Sequence, residues 1–227
     1  MKIYPIETGK FMLDGGAMFG VVPKYLWQKT NPADANNMCS WSMRCLLIED
    51  GNRLILIDAG MGNKQSEKFF SYYFLHGTDT LDKSLQKLGF HRDEITDVFL
   101  THLHFDHCGG AIEDIGNNTY RPAFKNAKFW SNANHWQWAT QPNPREKASF
   151  LKENILPIQE SGQLNFLEMP QDDFLKESEL GFRVLFVNGH TDKQMIPHIQ
   201  YKGKTLVFCA DLLPSTGHIP LPYVMGY

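Results

Sequence analysis

Apolar positions along the chain gather into two groups of short extended runs, with helical spacing between and around them. Met43-Arg44-Cys45-Leu46-Leu47-Ile48-Glu49 and Arg53-Leu54-Ile55-Leu56-Ile57-Asp58, joined through Asp50-Gly51-Asn52, read as a β-hairpin. Val98 to Thr101 is a short strand that runs into a cluster of histidines. Phe182 to Val187, Met195 to Tyr201 and Thr205 to Ala210 make the second group, the last two joined by a Lys202-Gly203-Lys204 turn. Between the groups, Leu81, Leu85 and Leu88 share one helical face, with Thr80 as its cap and Gly89 as its stop. Residues 65–75 and 132–140 have helical character with weak caps, and Pro144 in a first-turn position places a helix over 145–155.

Residues 112–125, with Gly116-Asn117-Asn118, read as loop. So does the Gly/Pro/Asn-rich stretch from Gly15 to Asn37. That stretch nevertheless holds Met18, Phe19, Val21, Val22, Tyr25, Leu26 and Trp27, too much apolar surface to be left in water. It packs over the sheet, walls a binding site, or meets a second copy in a homodimer. Two sets of strands with helices between and outside them predict a sheet sandwich flanked by helices, in one domain without a linker. Leu46, Leu54, Leu56, Val98, Leu100, Val184, Leu185, Val207 and Phe208 are the expected core.

The 227 residues are 42% hydrophobic and 21% charged, with a net charge of -3, which describes an ordinary folded domain. No basic stripe marks a nucleic-acid footprint. No apolar run is long enough to span a bilayer, and no leader is evident. The 4 cysteines lack C-x-x-C spacing and read as reduced thiols of a cytoplasmic protein.

Three of the 9 histidines fall in His102-Leu103-His104-Phe105-Asp106-His107. Two histidines two apart in extended chain point the same way and can grip one cation. Asp106 and His107 follow where the chain turns, and suit a second ion beside the first. Imidazole with carboxylate is a donor set for zinc, iron, manganese or nickel. Gly109-Gly110 then allows a sharp turn and close backbone approach. A His-rich surface loop would not follow a buried-type strand, and a closed structural site would use more cysteine. His76, His91 and His135 sit on or near helix ends without evident partners, and His198 sits in a strand; these read as surface or packing residues.

The run Thr101-His102-Leu103-His104-Phe105-Asp106-His107-Cys108-Gly109-Gly110 resembles the signature of the metallo-β-lactamase superfamily. Leu56-Ile57-Asp58-Ala59-Gly60 is similar to its first motif, Asn188-Gly189-His190-Thr191 to its third, and Phe208-Cys209-Ala210-Asp211 to its fourth. The resemblance implies an α/β fold, the four-layer αββα sandwich, with two divalent metal ions at one edge. Zinc is the default, and iron or manganese share the ligands. Carried over, His102, His104 and His190 hold the first metal, Asp106 and His107 the second, and Asp211 bridges them. Asp58 orients ligands from behind.

The two-metal members of that superfamily carry a further histidine well past the bridging aspartate. The histidine in that stretch here is His218, which does not match the motif. The expectation is a single domain over 1–227 that lacks its natural C-terminal segment. The implied function is a hydrolase in which metal-activated hydroxide attacks a lactone or ester carbonyl, with Asp106 orienting it and delivering a proton. The arrangement is similar to that of lactonases that open acylated homoserine lactones. Those carry a tyrosine three residues after the bridging aspartate, where Pro214 stands here, and His218 or Tyr223 would take its place. A phosphotriester, β-lactam or thioester substrate, or a metal-binding protein without turnover, are the alternatives.

Overall fold

The protein is described from a computed structural model, which covers residues 1–170 and 175–227. In chain order the strands are β1 (Lys2–Asp14), β2 (Met38–Asp50), β3 (Arg53–Ile57), β4 (Asp97–Phe99), β5 (Ile112–Asp114), β6 (Tyr120–Pro122), β7 (Lys128–Ser131), β8 (Leu164–Phe166), β9 (Lys176–Glu177), β10 (Arg183–Val187), β11 (Gln194–Tyr201) and β12 (Lys204–Val207). The helices are α1 (Gly15–Phe19), α2 (Lys24–Trp27), α3 (Glu67–Ser71), α4 (Leu81–Lys87), α5 (Phe105–Cys108), α6 (Ala133–Thr140) and α7 (Lys152–Glu160).

One sheet has the order β1-β2-β3-β4-β7-β8 and a second the order β12-β11-β10-β9. The apolar alternation of β3 and β4 divides their side chains between two cores. Ile55, Ile57 and Phe99 face the second sheet and pack with Phe182, Val184, Phe186, Met195 and Ile199. Leu54, Leu56 and Val98 face the other way, onto Leu81 and Leu85 of α4, Trp136 of α6, and Ile155 and Ile158 of α7. The two sheets are thus face to face, and helices cover the outer side of the first, which gives three layers of an αββα sandwich.

β3, β4, β7 and β8 run parallel, with Ile57 beside Phe99, Phe99 beside Trp130, and Trp130 beside Asn165. Their carboxyl ends therefore open on one edge, the place where open parallel sheets leave room for ligands. Among the described residues, no helix is long and apolar enough to cross a membrane. All four cysteines are free thiols.

The first strand lies outside the sequence reading, and several expectations need correction. The amino terminus is a strand of 13 residues, β1, paired antiparallel with β2 and carrying a register shift between Glu7 and Lys10. It is an edge strand, which is why Pro5 is tolerated in it. Residues 112–122 are a hairpin, β5–β6, with Asn117 and Asn118 both at φ 55. Such paired left-handed residues turn a tight hairpin. The helix expected over 145–155 forms instead over Lys152–Glu160. The Asn143 side chain accepts from the Arg145 and Glu146 amides at 2.9 and 3.0 Å, so Pro144 opens a turn and not a helix. Residues 15–37 contain two short helices. Leu185 and Phe208 are half-buried and Val207 is exposed; Leu185 and Val207 face away from the inter-sheet core.

Candidate metal centre

Four chain segments deliver polar side chains to the open edge of the parallel strands. β3 runs directly into Asp58, which is 1% exposed and sits at φ 59, a left-handed conformation that an aspartate tolerates. β4 runs out through Thr101 into His102 and His104, and α5 follows at once with Asp106 and His107. His190 lies in the connection between β10 and β11. Asp211 follows β12, just after Ala210 at φ 42. Strain of this kind at strand ends is characteristic of functional sites.

Asp58 organises the segment after β4. Its Oδ1 accepts from the Thr101 amide at 2.8 Å, and its Oδ2 accepts from the Thr101 hydroxyl at 2.9 Å. The Thr101 oxygen is thereby left to accept from His102 Nδ1 at 3.1 Å. Asp58 Oδ2 also accepts from His107 Nδ1 at 2.8 Å. Both imidazoles are thus held as donors at Nδ1, with Nε2 turned into the site.

The inward-facing atoms converge. His104 Nδ1 and His190 Nε2 are 2.9 Å apart. Asp211 spans the cluster, with Oδ1 3.2 Å from His107 Nε2 and Oδ2 3.3 Å from His190 Nε2. Asp106 Oδ2 lies 3.6 Å from His107 Nε2. Two sets of donor atoms each lie within 4.8 Å of one another: His102, His104 and His190, and His102, His107 and Asp211. The structure thus brings His102, His104, Asp106, His107, His190 and Asp211 together.

The donor set fits divalent cations. His102 Nε2 is buried with no hydrogen-bond partner, among other nitrogens and carboxylate oxygens that cannot all satisfy one another with protons. Burial and the neighbouring imidazoles hold His102 well below the usual histidine range, and burial brings His104 down to about 4. Burial opposes charge on His107 too, but the carboxylates of Asp211, Asp106 and Asp58 outweigh it and raise that ring well above its ordinary value. A pocket that keeps His102 and His104 neutral while gathering carboxylates is one that welcomes a cation.

His218 is not brought into this cluster. It is 3% exposed and stacks on Phe19 at 4.2 Å between ring centroids. Its Nε2 donates to the Met18 carbonyl at 3.0 Å, and Nδ1 accepts from the Ser215 hydroxyl at 2.8 Å. Both nitrogens are spent inside the protein.

Two polar residues at the site carry no signal in the local sequence. Glu146 Oε2 accepts from Trp138 Nε1 at 2.9 Å and from the Thr191 hydroxyl at 2.8 Å, and lies 3.9 Å from His104 Nε2. Burial works against its charge, yet the donors around it bring its carboxyl down to about 2. A carboxylate behind a ligating imidazole fixes the ring's orientation. The second is His135, which reads from sequence as surface or packing but is 1% exposed and bonded to the backbone of the Leu103 segment.

The Gly109-Gly110 pair makes the close approach expected of it, although not by a sharp turn. A β-carbon on Gly110 would stand 2.1 Å from the Ala59 carbonyl oxygen, and one on Gly109 2.1 Å from that of Met61. Only glycine lets α5 lie this close to the end of β3.

Two adjoining cavities, of about 460 and 140 Å³, share Phe11, Leu13, Asp106 and Asp211. The larger is walled by Phe11, Leu13, Met18, Trp41 and Met43 and reaches His107. Met18 belongs to the segment 15–37, whose Phe19, Val22 and Trp27 pack with Trp41, Met61 and Phe105 beside the site. That segment is therefore both packing and wall. The smaller cavity reaches His104 and His190 and is lined by Tyr73 and Arg145.

Residues 44–226 match the sequence profile of the metallo-beta-lactamase superfamily. An N-acyl homoserine lactonase of Bacillus thuringiensis is 26% identical over 200 residues, which cover 84% of this chain and 66% of that protein. One from Bacillus cereus is 25% identical over the same shares. The chain thus spans just under two thirds of the length of these curated relatives. A solved structure of a probable metal-dependent hydrolase from Staphylococcus aureus superposes with a TM-score of 0.89 at 29% identity, covering 100% of this chain and 78% of that one. A dizinc quorum-quenching lactonase in complex with a product superposes at 0.70 and 22% identity, covering 90% and 69%, a likeness of fold alone.

Proposed function

Because this chain belongs to the metallo-β-lactamase superfamily, we propose that it is a metal-dependent hydrolase that opens a lactone or ester carbonyl, with acylated homoserine lactones as the substrate class. The observation that carries this reading is the buried, partnerless His102 Nε2, set among imidazoles and carboxylates beside an apolar cavity. The relatives named as N-acyl homoserine lactonases support the choice of electrophile. His102, His104 and His190 would hold one cation, Asp106 and His107 a second, with Asp211 between them. Zinc suits these donors, and iron and manganese take the same set. Such ions, when bound, supply Lewis acidity and lower the pKa of a water toward about 7.

The chain's own groups supply the rest. Asp106 faces both cavities, so its carboxylate can orient the attacking water, take a proton from it, and return that proton to the leaving alkoxide oxygen. Phe11, Leu13, Met18, Trp41 and Met43 enclose an acyl chain and exclude water from it. Tyr73 lines the smaller cavity, and burial pushes its phenol up to about 12, still further from ionising than an ordinary tyrosine, which is itself a donor at neutral pH. It serves the substrate's carbonyl oxygen in place of the tyrosine expected where Pro214 stands. His218 contributes by seating Met18, not by touching substrate. The free thiols fit a reducing compartment such as the cytoplasm.

The test is ring opening of a hexanoyl-homoserine lactone by zinc-loaded protein, followed as proton release at constant pH. Turnover should disappear with a chelator and with D106N. Turnover of a phosphotriester, a β-lactam or a thioester in its place would move the reading to that electrophile. A zinc-loaded protein that hydrolyses none of them would be a metal-binding member of the fold without this chemistry.

A further inference from the structure

α6 begins directly behind the imidazole cluster. Asn132 caps it, accepting from the His135 amide at 2.8 Å, and this places the His135 side chain between two backbone segments. His135 Nε2 accepts from the Leu103 amide at 2.9 Å, so that nitrogen carries no proton. Its Nδ1 lies 2.6 Å from the Asp192 carbonyl oxygen, which can only accept, so Nδ1 carries the hydrogen. The ring is therefore one neutral tautomer, fixed by what its two neighbours can do. A second proton would point at an amide hydrogen. The two segments it joins are 102–104 and 190–193, and these present His104 and His190 to each other at 2.9 Å.

The 190–193 loop needs such a hold. Lys193 sits at φ 50, a left-handed conformation uncommon for a residue other than glycine. Asn132 Nδ2 donates to the Lys193 carbonyl at 2.8 Å, and the Thr191 hydroxyl donates to Glu146. Of these contacts, only His135 reaches the backbone of both segments. We propose that His135 is a positioning residue of the metal centre, a buried neutral imidazole that clamps the Leu103 segment to the Asp192 segment and sets the approach of His104 to His190. The proposal rests on the metal-centre reading above. An imidazole suits the task because it offers one acceptor and one donor on a rigid ring. Glutamine reaches only the position of Nε2, and asparagine only that of Nδ1.

The test compares wild type, H135F, H135Q and H135N, each prepared metal-free. Zinc affinity is read by competition with a chromophoric chelator, and ligand geometry by the visible absorption of the cobalt-substituted protein. H135F should bind zinc roughly 10- to 100-fold more weakly, the range found when groups supporting metal ligands are removed, and should alter the cobalt bands. H135Q and H135N should each recover part of both, since each restores one of the two hydrogen bonds. If H135F has the wild-type zinc constant and cobalt spectrum and differs only in melting temperature, His135 merely packs and the proposal is overturned. Half-variants that recover nothing over H135F would overturn it as well. Should H135F not fold, H135Q and H135N decide alone: weaker zinc binding than wild type supports the clamp, and equal binding with an unchanged spectrum removes it. A wild-type chain that takes up no zinc would instead remove the metal-centre reading, and this proposal with it.

Discussion

Replacing Asp58 by asparagine separates a strand-end anchor from a group that aims metal ligands. Asp58 is buried and accepts three hydrogen bonds, from the Thr101 amide and hydroxyl and from His107 Nδ1. Asparagine tolerates the left-handed backbone at φ 59, so D58N tests the side chain without adding strain. Its amide nitrogen must take the place of one oxygen. At Oδ2 it would meet two donors, and at Oδ1 one. At least one charge-assisted bond, of about 1.5–3 kcal/mol, is lost, and a buried donor is orphaned at about 1–3 kcal/mol. The metal-free variant should therefore be less stable by about 3–5 kcal/mol, read by urea unfolding. That is a large share of the roughly 5–15 kcal/mol that holds a domain together. With the negative charge behind His107 gone, and the Thr101 segment or the His107 ring loosened according to which way the amide faces, zinc affinity should fall roughly 10- to 100-fold in chelator competition. A variant that loses stability but binds zinc like wild type would show that Asp58 only ties β3 to β4. One that loses neither would refute the bonding account itself.

Three more outcomes follow from other parts of the site. G110A forces a β-carbon onto the Ala59 carbonyl, in backbone that also donates from the Ala59 amide to the His107 carbonyl at 2.8 Å; it should lower stability by about 1–3 kcal/mol, and an unchanged urea midpoint would contradict the close packing. Burial brings His135 down to about 3 from the ordinary 6.5, so the unfolded chain takes that proton first. The contribution is whole above pH 6.5 and is lost as pH falls toward 3, at up to about 1.4 kcal/mol per unit; H135F, metal-free, should show a stability slope shallower by that amount between roughly pH 6 and 4, and parallel slopes would contradict the neutral tautomer. H218A should lower the melting temperature, because it opens a cavity under Phe19 worth about 2–4 kcal/mol, while leaving kcat on the substrate of the wild type within a few-fold. A hundredfold loss of kcat in folded H218A would return His218 to the chemistry.

Legibility of the fold followed burial. β3, β4 and β11 are buried on both faces or nearly so, β10 alternates buried and half-buried positions, and their apolar residues announce them. β1 and the first half of β2 lie at the sheet edge, where polar and apolar residues mix, and Pro5 and Gly9 break the pattern further. β7 is four residues long, Lys128–Ser131, too short for any periodicity to register. The helix expected after Pro144 was displaced by side-chain bonding: Asn143 captured the next two amides, and the Glu146 carboxylate was drawn to Trp138 and Thr191. Such competition depends on contacts across the fold, which no local spacing records.

The same distinction governs the site. A metal centre demands particular donor types, and three of the histidines and one aspartate proposed for it come within six residues, so their chemistry is written in one short run. The groups behind them need only donate or accept, and any polar residue serves. His135 acts on Leu103 across 32 positions and on Asp192 across 57, and Glu146 on Thr191 across 45, so nothing in the sequence joins them. His135 and His218 show what separates a proposed ligand from other buried histidines. Each is buried near the cluster, and each has both nitrogens occupied by protein groups. His102 is equally buried, yet its Nε2 faces no donor or acceptor that satisfies it. Burying a polar atom without a partner is costly, and at His102 the six side chains proposed as ligands would return that cost by holding a cation.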